Sequence, residues 1–247
     1  MKPHTAQALR ALDRAFYREC ADAFAETRTR PWSGFAQILE YCPHPLSVLD
    51  VGCGNGRFAV AMASQQPTLH VSHYLGMDMS PELIALARDQ SAAWPFPARF
   101  VQHDVLQFEH APWGGQTFGL VAAFGLLHHI PGRRSRLDLV EYLGRQLEPD
   151  GLLALSLFRY DRSHRLLGRR LEPEACRALL PASAVQDLEP GDFLLPFGHT
   201  ERVRYCHLFD EDETSALAQT KGLQLITRLT PERGSDRLND YLLLRRQ

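Results

Sequence analysis

Apolar residues recur at helical spacing between Ala6 and Thr27, at Leu9, Leu12, Phe16 and Phe24, and Pro31 opens a second short helix running to Glu40. Pro43 and Pro45 then lead into a different pattern, in which short apolar runs near 47–51, 70–77, 98–102, 118–124 and 151–158 alternate with helical stretches near 56–65, 81–92 and 134–147. Such alternation predicts an α/β, Rossmann-like core: a mostly parallel sheet with helices on both faces. Between Arg159 and His207 no long periodic segment occurs and Gly, Pro and Arg are frequent, as expected of an insertion that shapes a substrate site. Regular patterning resumes with a helix over 210–219 and strands over 223–229 and 240–245, which brings the strands to seven. The expected organisation is one domain over 1–247, with an N-terminal helical cap (1–45), a cofactor-binding core (46–158), a substrate-shaping insertion (159–209) and a C-terminal helix with strands (210–247).

Composition is consistent with that picture. A chain of 247 residues with 45% hydrophobic content can bury one sizeable core. No apolar run approaches the roughly 18–20 residues of a membrane span, and Met1 to Glu26 is polar and charged, so a soluble, cytoplasmic protein without a membrane partner is expected. The five cysteines, at 20, 42, 53, 176 and 206, form no C-x-x-C pair; reduced thiols and no metal site are expected.

The chemistry begins at Val48-Leu49-Asp50-Val51-Gly52-Cys53-Gly54-Asn55-Gly56, where an apolar strand runs into three alternate glycines and then a helix. Glycine permits close approach of a ligand to the main chain, and the amides of the next helix face that ligand. The spacing is not the G-x-G-x-x-G of a dinucleotide site, so a pyrophosphate is disfavoured. Taken alone, the glycines also suit a tight turn or another Rossmann-like binder. Asp78 ends the second strand, where a ribose diol would lie, and Asp104 follows the third, where it could accept a hydrogen bond from an adenine amino group.

With these motifs, and with Phe118 to Pro131 and Leu147 to Leu155 as fourth and fifth strands, the chain resembles the class I S-adenosylmethionine-dependent methyltransferases. The resemblance implies an antiparallel last strand and S-adenosyl-L-methionine as cofactor, held by Asp50, Gly52, Cys53, Gly54, Asn55, Gly56, Asp78, Met79, Asp104, Val105 and Phe124. Within that family, the flanks Ala23 to Trp32 and Arg204-Tyr205-Cys206-His207-Leu208-Phe209, with the close Asn239-Asp240-Tyr241-Leu242, resemble the tRNA wobble-uridine carboxymethyl O-methyltransferases. Cys206 stands where those enzymes carry a second tyrosine, Ser33 where proline is common, and a lysine-rich insert is missing. The resemblance implies tRNA as substrate and a small zinc-binding activator subunit as partner. The alternative is a small-molecule O- or N-methyltransferase of the same fold.

A carboxylate acceptor is already ionised near neutral pH and needs positioning more than a base. Arg28 and Arg204 are the expected catalytic carboxylate holders, with Arg30 third, because guanidinium offers paired donors. His128 and His129 follow the fourth strand at its ligand-binding edge, where either could touch the substrate or the methyl donor, with His128 as base for an amine or phenol and His129 as a substrate contact; the alternative is a turn that only caps the strand. Trp32 and Tyr205 suit either stacking on a base or a place as interior aromatics. Net charge is −2, yet Arg133, Arg134 and Arg136, and Arg159, Arg162, Arg165, Arg169 and Arg170, form two clusters suited to an anticodon stem, unless they are solvated surface.

Overall fold

Seven strands form one sheet in the order β3-β2-β1-β4-β5-β9-β8. These are β1 (Leu46–Val51), β2 (Val71–Asp78), β3 (Ala98–Gln102), β4 (Phe118–Ala123), β5 (Leu147–Phe158), β8 (Leu223–Leu229) and β9 (Asn239–Arg246). The first five are mutually parallel, whereas β9 runs antiparallel to both β5 and β8. The computed structural model describes residues 1–65, 68–107, 110–198, 202–231 and 236–247, so 199–201 of the expected insertion lie outside the described residues.

Strands β1 and β4 are buried at every position, which follows from helices on both faces. Alternate residues serve alternate cores. Val48, Leu120, Ala122, Ala154 and Leu243 pack under α2 (Ser33–Leu39), α3 (Arg57–Ala63) and α4 (Pro81–Ser91). Leu49, Val121, Ala123, Leu153 and Leu244 pack under α5 (Arg133–Gly144) and α9 (Glu211–Ala218). Helix α4 starts where Pro81 follows Ser80, whose hydroxyl accepts from the Leu83 amide at 3.2 Å, and Asp210 caps α9 in the same way at 2.7 Å.

The segment without periodicity folds into three one-turn helices, α6 (His164–Leu167), α7 (Pro173–Cys176) and α8 (Ala182–Val185), followed by a two-stranded hairpin of β6 (Asp192–Pro196) and β7 (Val203–His207). Helix α1 (Pro3–Glu26) lies against β7, and Leu9 packs with Leu194 and Tyr205. The cap and the hairpin thus meet over the carboxyl ends of β1, β2 and β4. Chain order reverses between β1 and β4, which opens a crevice there.

Candidate active site

The crevice is a cavity of about 530 Å³ whose walls come from the β1, β2, β3 and β4 ends, α1 and the hairpin. Its floor is the glycine loop. Gly52, Gly54 and Gly56 have φ of 73°, 54° and 82°, a region that favours glycine. A Cβ on Gly54 would meet nothing within 4 Å, so the loop is open there to a ligand, whereas one on Gly56 would lie 2.9 Å from the Trp94 ring. Gly56 does not line the cavity; its expected cofactor contact is replaced by a packing role beneath the loop.

Asp78 ties two loops together by accepting from the Gly54 amide at 3.0 Å and the Ser80 amide at 2.9 Å. Burial raises its affinity for a proton against the pull of those amides. Asp50 is 2% exposed, accepts from the Tyr74 hydroxyl, and is pushed up to about 7 by burial. A buried carboxylate of this kind is suited to a cationic ligand. Cys53, Asn55, Met79, Val105 and Phe124 line the same cavity. Asp104 is not a free acceptor: Arg10 and Arg14 of α1 both hold Oδ2, the latter at 2.6 Å, while Oδ1 accepts from the Leu106 amide at 3.1 Å. An adenine amino group would have to share Oδ1.

Opposite the glycine loop the wall turns aromatic and cationic. The Arg28 guanidinium lies 3.6 Å above the Phe24 ring, and that of Arg204 sits 5.5–5.8 Å from the Phe16, Phe24 and Phe197 rings. Among the described residues neither guanidinium has a carboxylate within 4.0 Å, and Arg204 Nε is buried without a hydrogen-bond partner. Burial and the neighbouring Arg204 weaken Arg28's hold on its proton, which an anionic ligand would reverse. Arg57 stacks at 4.0 Å over Trp32, which also lines the cavity.

His128 and His129 occupy the turn after β4 but differ sharply. His128 is buried against Phe158 with Nδ1 unpartnered, and burial, then His129 and the two arginines, keeps it neutral well below the ordinary histidine range. His129 is bonded at both nitrogens, to the Tyr205 carbonyl at 2.7 Å and the Tyr17 hydroxyl at 3.0 Å. The Cys206 thiol lies within 4.8 Å of both rings, but His129 has no free nitrogen and the Arg204 guanidinium adjoins the thiol, an environment opposed to a cation.

Two expected substrate contacts lie elsewhere. Arg30 is exposed and does not line the cavity, because the chain turns away between α1 and α2. Tyr205 is fully buried, and its hydroxyl donates to Asp192 Oδ1 at 2.7 Å, so its ring is core rather than a stacking surface. The arginine clusters are also largely consumed within the protein. Arg136 is wholly buried and paired with Glu213 and Glu189; Arg159 and Arg162 bind Asp240 at 3.0 and 2.6 Å. Of those clusters Arg165 and Arg169 line the cavity.

Sequence reasoning did not single out Asp13 or Tyr17, which line the cavity from α1. The available signal was Asp13 itself, a charged residue between Leu12 and Phe16 on the apolar stripe, and it proves 4% exposed.

Residues 48–151 match the family described as "Methyltransferase domain". The tRNA (carboxymethyluridine(34)-5-O)-methyltransferase of Saccharomyces cerevisiae is 27% identical over 135 residues, 55% of this chain and 43% of that protein. The protein of the same name from Schizosaccharomyces pombe is 23% identical over 243 residues, covering 92% of each. Among solved structures, the CcbJ methyltransferase from Streptomyces caelestis superimposes with a TM-score of 0.63 at 16% identity, over 94% of this chain and 97% of that one, a likeness of fold. Residues 48–151 therefore carry a methyltransferase domain, within a chain whose overall fold is like that of a solved methyltransferase.

Proposed function

We propose that this S-adenosylmethionine-dependent class I methyltransferase esterifies the carboxylate of a carboxymethyl-type wobble uridine in tRNA. The observation that carries the reading is the pair Arg28 and Arg204, two guanidinium groups without carboxylate partners among the described residues, set in an aromatic wall that faces the glycine loop across one cavity. The resemblance at Ala23 to Trp32 and at Arg204 to Phe209, and relatives named for that reaction, support the same acceptor.

The residues present fit the cofactor. Gly54 leaves open backbone, Asp78 stands at the end of β2 for the ribose diol, and buried Asp50 supplies a counter-charge to a cationic amino acid group. Bound there, the cofactor supplies an electrophilic methyl group on a sulfonium. The protein's part is to hold the acceptor: Arg28 and Arg204 orient the carboxylate through paired donors, and the ring faces of Phe24 and Phe197 exclude water, which strengthens that ion pairing. No base is required because the acceptor arrives ionised.

Transfer of labelled methyl groups to tRNA, followed by nucleoside mass spectrometry, should place the label in a carboxymethyl ester of uridine. Absence of label from every tRNA source tried would sink the reading. Arg28→Ala and Arg204→Ala should each lower methyl transfer at least tenfold with cofactor affinity nearly unchanged; parallel loss of both would place these residues in the fold instead. A small zinc-binding activator is the expected partner on this reading, and its addition should raise turnover. A second reading, a small-molecule carboxylate as acceptor, is favoured by the internal pairing of Arg136, Arg159 and Arg162, which takes three arginines of the two clusters away from a stem.

A further inference from the structure

A carbonyl oxygen only accepts hydrogen bonds, and this determines where the proton of His129 resides. Nδ1 lies 2.7 Å from the Tyr205 carbonyl and 3.3 Å from Asp13 Oδ2, so the neutral ring carries its hydrogen on Nδ1. Nε2 is then a bare lone pair, 3.0 Å from the Tyr17 hydroxyl, and the Tyr17 proton is committed to it. Tyr17 consequently turns oxygen lone pairs, and no proton, toward the cavity it lines. Behind the histidine, Asp13 is held by the Tyr205 amide on Oδ1 at 2.6 Å, while Oδ2 is buried without a hydrogen bond of its own. That oxygen is placed to compensate a charge arriving on His129.

A carboxylate acceptor has no proton to give up, so it leaves this arrangement idle. We propose that Asp13, His129 and Tyr17 form a proton relay through which the same site methylates an acidic hydroxyl, of phenol or enol type, on a molecule whose anionic or polar frame is held by Arg28 and Arg204. The proposal goes beyond the carboxylate reading and rests on it for the cofactor and for the role of the two arginines. The step balances. The acceptor oxygen donates an electron pair to the methyl carbon, and the carbon–sulfur bond breaks with its electrons returning to sulfur, which becomes a neutral thioether. The hydroxyl proton passes to Tyr17 oxygen as the proton of Tyr17 passes to His129 Nε2, leaving an imidazolium between Asp13 and the Tyr205 carbonyl.

Burial raises the Tyr17 hydroxyl, with Asp13 and Asp78 adding to the rise, so it keeps its proton until the histidine takes it; Arg204 from β7 and Arg28 from the loop after α1 act against that shift. Asp13 Oδ2 on α1 stands 3.3 Å from His129 Nδ1, and burial raises the Asp13 carboxyl against the pull of His129 and of the Tyr205 amide. His128, in the same turn, is held well below the ordinary histidine range by burial, and its Nδ1 has no hydrogen-bond partner. Tyr17 is the group that touches the acceptor; His129 and Asp13 act through it.

Two measurements test the relay. In the apoprotein labelled with 15N-histidine, long-range proton–nitrogen spectra near neutral pH should show His129 protonated at Nδ1 and bare at Nε2, and the opposite tautomer would overturn the proposal. With free nucleosides as probes, the wild type should transfer methyl to 5-hydroxyuridine with kcat rising along one ionisation limb as pH increases. Tyr17→Phe should lower that kcat about 100-fold with KM within threefold. Asp13→Asn, which keeps an acceptor for the Tyr205 amide, should lower it at least tenfold and move the limb, giving a readout should the Tyr17 variant fail to fold. No transfer to 5-hydroxyuridine, or a kcat unchanged by both substitutions, overturns the relay. Transfer to 5-hydroxyuridine with no label entering any tRNA supports the relay and sinks the carboxylate reading instead.

Discussion

Asp50 carries the sharpest tension between stability and function of any single residue in the site. Its folded-state carboxyl is pushed up to about 7 by burial, against an ordinary value of 3.8, so between those limits the folded apoprotein holds a proton that the unfolded chain has released. Stability contributed by the neutral form is therefore present at low pH and lost as pH rises toward 7, above which the buried charge persists as a penalty. Asp50→Asn keeps an acceptor for the Tyr74 hydroxyl and removes that charge, so the apo variant should melt higher than the parent at pH 8, with the gap closing toward pH 4. Its affinity for S-adenosylmethionine should fall. The parent's affinity should weaken as acid protonates Asp50 below pH 7, and calorimetric titration showing a flat profile from pH 5.5 to 8 would remove Asp50 from cofactor binding. This residue was legible in the sequence because the strand that carries it and the glycine loop it precedes are contiguous in the chain, although its hydroxyl partner Tyr74 comes from β2. Asp13 and Tyr17 were not, because their significance depends on β7 laying the Tyr205 backbone beside them, a long-range contact that no spacing on α1 encodes.

At the scale of elements, the helices and central strands were readable within a few residues, since each helix buries one face and repeats at 3.6, while strands covered on both faces stand out as short continuous apolar runs. The hairpin β6–β7 was not, because it packs on α1 through isolated residues such as Leu194 and Tyr205. What the sequence also could not tell was that α1 is fastened to the cofactor side. Arg10 and Arg14 stand one turn apart and both reach Asp104, with side chains 31% and 52% exposed against 15% for the carboxylate. Partly exposed pairs contribute only about 0.2–1 kcal/mol each to global stability. Their effect should instead be local: α1 is held down over the cavity by them and by its contact with β7. The Arg10→Ala/Arg14→Ala variant should lose amide-exchange protection in the first half of α1, and S-adenosylmethionine should dissociate several-fold faster, with little change in melting temperature. High salt should partly reproduce this in the parent. Unchanged protection would show that the hairpin alone seats the helix.

Across the whole molecule, three of the arginines that suggested a nucleic-acid surface, Arg136, Arg159 and Arg162, join the parts of the fold instead. Arg136 of α5 meets Glu213 of α9 and Glu189 before the hairpin, and Glu213 in turn meets His207 of β7, whose other nitrogen is 2.7 Å from Asp192 of β6. This buried network ties the core helices to the hairpin that carries Arg204, so the placing of Arg204 in the cavity wall depends on it. Removing one member strands the others: Arg136→Ala leaves Glu213 charged and buried, and should destabilise the fold by roughly 3–5 kcal/mol. The Arg136→Met/Glu213→Leu pair, which removes both charges, should recover part of that loss. The network's pH window follows from its two titrating ends. Glu213 is held at about 2 by His207 and Arg136 against its burial, so its contribution is complete above the ordinary 4.5 and lost as pH falls toward 2. His207 is raised above its ordinary 6.5 by bonds to Asp192 and Glu213, which outweigh burial, so its contribution is complete below 6.5 and lost as pH rises through the higher value. Urea midpoints for the parent should therefore be highest near pH 5.5 relative to pH 3 and pH 8.5, and Glu213→Gln should flatten the acid side of that profile more than the alkaline side. An acid limb that persists in Glu213→Gln would assign the loss to other carboxylates, such as Asp240 beneath Arg159, Arg162 and Arg228, whose pKa is likewise lowered.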